Sequence, residues 1–417
     1  MANILVISYY INSDGVACSH HIDDRIAELI KLGHSVIICS ASFVPLLGSV
    51  RHLRFSSLSP SGFRFETRQR LKDTKLSPWH RLILRMFLIL NQIPYAFERL
   101  AFRRDVTWSW AKSASRGIIR ECERNDIDLI YSTGGPAVAH LVALLVTRST
   151  NMPWIAELQD PLIHSYCAKS KGELNKLIEL EKNILSKSIK TFFLTKNAAK
   201  AAENRTQIRG KAFSIYSGAP EVQSANVAPL KKVPPRLILG HFGSLGGIRN
   251  LASFISAMKI AIKERPEIET DLQISLYGNL ANDDRVRINE VNLNKNFIES
   301  GTCSRENALT RMMECTALFL IQGEHDISIE TIPSKTYEYL NTGKFIFALV
   351  HQNEEINNIV SSAGGMVAEV SNPEEISIRL LELHEIWKID FCLPTTPGNN
   401  YLVKESVAKM LSISLKD

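Results

Sequence analysis

Short apolar runs alternate with stretches of helical periodicity from one end of this chain to the other, and that alternation leaves few folds open. In the first half, strands are expected at 3–10, 35–40, 127–131, 154–158, 190–195 and 213–216. The helix after the first strand repeats apolar residues at Ile22, Ile26, Leu29 and Ile30 and should stop at Gly33. Residues 221–235 then lose all periodicity and hold three prolines, as a linker would. The pattern restarts, with strands expected at 236–242, 272–277, 296–299, 317–321, 345–350 and 366–370. The expectation is an α/β chain with two doubly wound, Rossmann-like domains, 1–220 and 236–395, and a C-terminal stretch 396–417. Leu402, Val407, Met410, Leu411 and Ile413 mark a helix in that last stretch. Open α/β sheets bind ligands beyond the carboxyl ends of their strands, so a cleft between the two domains is the expected site.

At 417 residues the chain has room for two or three domains. The longest apolar candidate, Leu82 to Leu90, is interrupted by Arg85 and is too short to span a bilayer. Residues 3–10 read as a strand rather than a signal peptide, and a cytoplasmic protein is expected. Seven cysteines without any Cys-x-x-Cys spacing argue against a disulfide framework and a zinc site. The net charge of +6 is unevenly spread: between Arg51 and Arg104 stand 12 Lys/Arg against the acids Glu66, Asp73 and Glu98. Within that insert, Trp79 to Leu90 and Phe97 to Arg104 mix large apolar residues with arginine. Such a stretch suits an anionic membrane surface, and a core helix with basic residues facing water is the competing reading. No nucleic-acid-binding pattern is present.

The most informative segment runs from Glu330 through Thr331-Ile332-Pro333-Ser334-Lys335-Thr336-Tyr337-Glu338 to Gly343, followed by the apolar strand Phe345 to Val350. Pro333 suits the first turn of a helix, whose free N–H groups near Ser334, Lys335 and Thr336 could hold a phosphate. Lys335 adds a positive charge there, and one turn on, Glu338 could accept hydrogen bonds from two ribose hydroxyls. A second segment, His241-Phe242-Gly243-Ser244-Leu245-Gly246-Gly247-Ile248-Arg249, follows a strand and is expected to open a helix. Gly243 lets the backbone approach a pyrophosphate, and Arg249 can pair with it. A surface helix with solvated acids and an ordinary glycine turn are the competing readings.

The Glu330-x7-Glu338 spacing, with Pro-Ser-Lys-Thr-Tyr-Glu-Tyr-Leu around it, resembles the retaining glycosyltransferases of family 4, especially those of bacterial surface polysaccharides. The resemblance spans nearly the whole chain and is strongest at 328–350 and 236–250. It implies the GT-B fold, a UDP- or GDP-sugar donor, no cofactor and no metal. It places Glu338 on the ribose, Glu330 near the donor sugar, and Gly243, Ser244 and Arg249 on the diphosphate. Tyr277 and Gly301, at two further strand ends, fall where the family holds the base. The lysine that the family commonly carries soon after this arginine is missing, which leaves Lys335 beside Arg249.

The same resemblance assigns the acceptor side to the first half: Gly15 after strand one, Gly134 and Gly135 after the strand at 127–131, and Glu157, Gln159 and Asp160 at the polar end of the strand at 154–158. Many relatives have histidine where Gln159 stands. Glutamine exchanges no protons, so a general base here would be Asp160 or Glu157. For His140 a satisfied helix position is expected, and for Ser19, His20 and His21 capping and exposure. The implied function is transfer of a sugar from a nucleotide carrier to a glycan or lipid-linked acceptor in O-antigen, capsule or lipopolysaccharide synthesis, at the inner face of the membrane. Arg249 and Lys335 would stabilise the departing diphosphate, with Asp160 and Glu330 the other catalytic candidates. A sugar-nucleotide 2-epimerase and a non-catalytic GT-B subunit remain alternatives, whereas a dinucleotide oxidoreductase lacks its Gly-x-Gly-x-x-Gly turn.

Overall fold

The computed structural model describes residues 1–13, 16–41, 50–57, 59–71, 76–102, 108–165, 167, 170–221, 236–394 and 401–414. Two compact units emerge. The first holds residues 1–194, 198–215 and 407–417, and the second holds 195–197 and 216–406. The expected linker lies almost wholly outside the described residues, as does Gly15.

The first unit is built on a seven-stranded parallel sheet of order β3-β2-β1-β4-β5-β6-β7. Its strands are β1 (Asn3–Ile7), β2 (Ser35–Ser40), β3 (Arg51–Arg54), β4 (Leu129–Gly134), β5 (Trp154–Leu158), β6 (Lys190–Phe193) and β7 (Ala212–Ser214). Every residue of β4 and β5 is buried. A parallel sheet covered on both faces demands such near-continuous apolar runs, which is why the sequence exposes these strands so clearly. β3 escapes that reading. It is an edge strand, Arg-His-Leu-Arg, paired only with β2, and charged residues are what edges use to discourage further pairing.

The second unit carries a six-stranded parallel sheet of order β10-β9-β8-β11-β12-β13. These strands are β8 (Leu237–Phe242), β9 (Leu272–Tyr277), β10 (Phe297–Glu299), β11 (Ala317–Ile321), β12 (Phe345–Val350) and β13 (Met366–Glu369). The period of two sorts their side chains onto two faces. Ala317, Phe319, Ile321, Phe345, Phe347 and Leu349 enter one core cluster, and Leu318, Leu320, Ile346, Ala348 and Val350 enter another. Both sheets have the strand order of doubly wound folds, which reverses direction beside the first strand. The expected C-terminal helix forms over Val403–Ser414.

Candidate functional site

In the second unit, two loops at the carboxyl ends of β8 and β9 are pressed together. Gly243 N–H donates to the Tyr277 carbonyl at 2.8 Å and Leu245 N–H to that of Asn279 at 2.8 Å. A Cβ on Gly278 would overlap the Gly243 carbonyl oxygen, so the approach tolerates only glycine there. Beneath the loops Phe242 and Tyr277 stack at 4.5 Å, and the buried Tyr339 hydroxyl accepts from Phe242 N–H at 3.0 Å. Tyr277 thus serves as a wall of the loop pair.

Lys335, the first residue of the helix Lys335–Thr342, sends its ammonium into this corner: a Cβ on Gly243 would lie 2.5 Å from Nζ. Gly243 itself sits at φ 136°, a conformation glycine takes at little cost. Lys335 Nζ, Arg249 Nε and His241 Nε2 are buried and have no hydrogen-bond partner among the described residues. Burial, then the neighbouring Arg249, pushes the Lys335 pKa down to about 7, with Glu338 pulling the other way. Burial likewise lowers that of Arg249. His241 lies well below its ordinary value through burial, with Lys335 adding to the effect. Its Nδ1 is 2.9 Å from the Phe319 carbonyl, which can only accept, so Nδ1 carries the proton and Nε2 presents a lone pair. Two uncompensated cationic donors and one acceptor therefore point into a single corner of the site. An anion with hydroxyl or phosphate oxygens is the ligand that such a corner satisfies.

The surrounding residues add detail to the sequence-based assignments. Arg249 does not open a helix; the next helix is Ala252–Glu264, and Arg249 closes a turn in which its N–H donates to the Gly246 carbonyl at 3.3 Å. Ser244 is exposed on the same loop. Ser334 precedes the helix of Lys335 without a side-chain cap, and Thr336 N–H donates to the Pro333 carbonyl at 2.9 Å, so the Thr336 N–H is already engaged. Glu338 accepts from Arg305 Nε at 3.1 Å and lines a cavity of about 790 Å³ with Arg305, Asn307 and Asn341. Sequence reading missed both His241 and Arg305. Glu330 ends the short helix Asp326–Glu330, and its carbonyl accepts from Thr195 Oγ1 at 2.6 Å. Gly301 occupies an open turn after β10 with nothing within 4 Å of an added Cβ.

In the first unit the loops after β4 and β5 also meet. Asp160 Oδ2 would lie 3.1 Å from a Cβ on Gly135, while Gly134, at φ 140°, passes close to Ser8. Protein packed around the Asp160 carboxyl raises its pKa, with His164 and His21 opposing, although the residue keeps an exposed surface. Gln159 Nε2 donates to Thr133 Oγ1 at 3.1 Å and, at 3.5 Å, to the Cys18 carbonyl. Glu157 is fully committed: His21 Nε2 donates to one oxygen, the Tyr131 hydroxyl donates to the other at 2.6 Å, and Arg25 Nε stands 3.4 Å away. Burial raises its pKa, but Arg25, His21 and these hydrogen bonds outweigh that and hold it at about 2. A carboxylate so engaged holds the fold together and is not a proton acceptor, which leaves Asp160 as the acidic candidate in this unit.

His21 and Ser19 are buried rather than exposed, contrary to expectation. They lie on the inward face of the helix Ala17–Lys31 with Ile22, Arg25, Ile26 and Leu29, whereas Ile30 points to solvent. His140 is buried and paired with Ser132 Oγ at 2.9 Å through Nδ1, and burial lowers its pKa to about 4. Among the described residues no group of His, Cys, Asp or Glu is arranged to hold a metal ion.

No protein-family model matches the sequence, and no curated protein sequence matches it. Solved structures do match over the full length. HepE from Anabaena in complex with UDP and glucose is 13% identical, with 99% of this chain and 100% of that one covered and a TM-score of 0.63. Sucrose-phosphate synthase from Thermosynechococcus elongatus is 13% identical over 100% and 97%, with a TM-score of 0.62. A TarM variant of S. aureus, in complex with UDP and alpha-GlcNAc-glycerol among other ligands, is 10% identical over 99% and 100%, with a TM-score of 0.59. The two doubly wound units and this likeness define the GT-B fold.

Two stability measurements probe the opposite fates of these buried charges. Glu157→Gln should cost about 3–5 kcal/mol in denaturant titrations at neutral pH, because it removes the buried negative charge that faces the Arg25 guanidinium. The depressed carboxyl stabilises the fold above its ordinary value of 4.5 and ceases to do so as pH falls toward about 2, so the wild type should lose stability over that window and the variant should not. Lys335→Met should instead stabilise, by roughly 1–3 kcal/mol below pH 7. Lys335 is charged in both folded and unfolded chains there, and the gain should fade as pH rises from about 7 toward 10.5, where the folded chain alone has shed the proton.

Proposed function

We propose that the chain is a retaining, metal-independent glycosyltransferase that takes a sugar from a UDP- or GDP-sugar and delivers it to a glycan or lipid-linked acceptor in bacterial surface-polysaccharide synthesis. One observation carries the reading: Lys335 Nζ and Arg249 Nε are buried, adjacent and unpartnered beside a glycine loop at a strand end. A diphosphate would supply the missing counter-charge. Glu338, one turn beyond Lys335, is assigned to the ribose, which it would hold jointly with Arg305 or take over from it. HepE is solved with UDP and with UDP-glucose, and the TarM variant with UDP, which supports a uridine donor. The Glu330-x7-Glu338 resemblance supports retention and the surface-polysaccharide setting.

In this mechanism the sugar–phosphate bond breaks as charge builds on the diphosphate. Lys335 and Arg249, already oriented and desolvated, stabilise that charge more than they stabilise the ground state. The acceptor hydroxyl's proton passes to a phosphate oxygen of the leaving group. Asp160, on the first unit's β5 loop, orients the acceptor, with Gly134, Gly135 and Gln159 shaping its surroundings, and Glu330 is assigned to the donor sugar.

Thermal unfolding with UDP, GDP, dTDP and ADP tests the donor site. One uridine or guanosine diphosphate should raise the transition by several degrees, and Arg249→Ala and Lys335→Ala should abolish that shift. Glu338→Ala should weaken binding about tenfold through lost ribose contacts. Indifference to all four nucleotides would remove the reading. With a donor identified, transfer should persist in excess EDTA and the product should keep the donor's anomeric configuration; loss of turnover on chelation would refute metal independence.

A further inference from the structure

The basic insert of the first unit folds into three helices, Pro60–Leu71, Pro78–Leu90 and Gln92–Phe102. The last two follow one another across a single residue, Asn91, and polar contacts help to attach them. Asn91, at the bend, donates from Nδ2 to the Pro60 carbonyl at 2.6 Å, and the buried Glu98 accepts from Ser61 N–H at 2.7 Å and from its hydroxyl at 3.0 Å. Along the helix Pro78–Leu90 not one residue is buried.

Much of what this helix pair shows to solvent is apolar. Trp79, Leu82, Ile83, Met86, Phe87, Ile89 and Leu90 are all exposed, Phe87 at 60% and Leu90 at 70%. At 100° per residue these seven fall within one arc of about 160°, with Arg85 and His80 on its two borders. The second helix adds Ile93, Phe97 and Leu100 at positions i, i+4 and i+7, with Ile93 exposed at 82% and Leu100 at 78%. No helix is long and apolar enough to cross a membrane among the described residues. A short helix with a broad apolar face, arginine at its border and tryptophan at its start suits the plane of a lipid interface.

Charge decides between lipid and a second copy of the chain. The described acids of the insert, Glu66 and Glu98, are both buried and accept hydrogen bonds from Ser57 and Ser61. An isologous dimer through this face would bring one basic border against another with no exposed acid among the insert's described residues to offset it. An anionic bilayer neutralises the same arginines.

We propose that the helix pair 78–102 docks this protein on anionic lipid, with the apolar arc of Leu82, Met86, Phe87, Leu90, Ile93 and Phe97 inserted among the headgroups and Arg85, at the border of the arc, in contact with the phosphates. This docking needs no nucleotide and stands or falls separately from the donor site.

The test is co-sedimentation of the full chain with vesicles of phosphatidylcholine alone and of phosphatidylcholine mixed with phosphatidylglycerol. Binding to the mixed vesicles should exceed binding to the neutral ones by roughly tenfold and fall steeply with salt. The triple variant Phe87→Ser, Leu90→Ser, Ile93→Ser should lower it at least about tenfold, and Arg85→Glu should remove the preference for anionic lipid. These side chains are exposed, so the variants should melt as the wild type does. Equal binding to both vesicle types, binding unchanged by the triple variant, or a stable dimer in sedimentation velocity that the triple variant dissociates would each overturn the proposal.

Discussion

An ammonium group buried without a hydrogen-bonded partner among the described residues is the constraint around which the second unit is arranged. Lys335 lies against Gly243, beside Arg249, with Glu338 the nearby opposite charge. Its placement is costly, and it depends on a scaffold rigid enough not to relax away from the charge. The loops after β8 and β9 interlock through Gly243 and Gly278, Tyr339 fixes the backbone of Phe242, and Phe242 stacks on Tyr277. Each of these contacts orients the corner before any ligand arrives. Preorganised charge in a desolvated site is worth more to a developing anion than the same charge in water.

The first unit faces the same problem at the end of β5 and solves it the other way. The Glu157 carboxylate is buried like the Lys335 ammonium, but two hydrogen bonds and a guanidinium surround it. Its role is therefore architectural: it ties β5 to β4 through Tyr131 and to the helix Ala17–Lys31 through His21 and Arg25. That helix in turn brings the Cys18 carbonyl to Gln159 and the Cys18 side chain to the neighbourhood of Gly135. The contrast separates buried charges that the fold has satisfied from those that it leaves for something else.

How far the sequence discloses this depends on what kind of signal each feature leaves. Twelve of the thirteen strands among the described residues are expected from the sequence, the clearest being central strands such as β5, β11 and β12 whose two faces are both covered. β3 is not, since a basic edge strand carries the composition of a surface segment. Lys335 and Gly243 are legible from local context, a helix start and a glycine turn, whereas Arg249 closes a turn where the sequence suggests a helix start. His241 is not legible, because a histidine at the end of an apolar strand announces neither burial nor orientation, although Leu-Ile-Leu-Gly-His-Phe ahead of a glycine is an unusual place for one. His21 and Arg25 are four apart on the face that also carries Ile22, Ile26 and Leu29, a spacing that implies inward polar groups once the helix phase is fixed. Arg305 meets Glu338 across 33 positions of sequence, and no local pattern could pair them.

Lys335 and His241 together set how much charge the corner holds. His241 is locked neutral by burial and by its bond to the Phe319 carbonyl, so it adds no positive charge near neutral pH and offers a lone pair instead. Lys335, at about 7, is divided between its two protonation states when the corner is empty. An entering dianion favours the ammonium, and the site then gains a proton with its ligand. When the ligand leaves, the coupling runs in reverse and the buried charge is relieved. If the corner takes a phosphate group, as proposed, it would avoid carrying its full electrostatic penalty while empty and would acquire its full field only with that group bound.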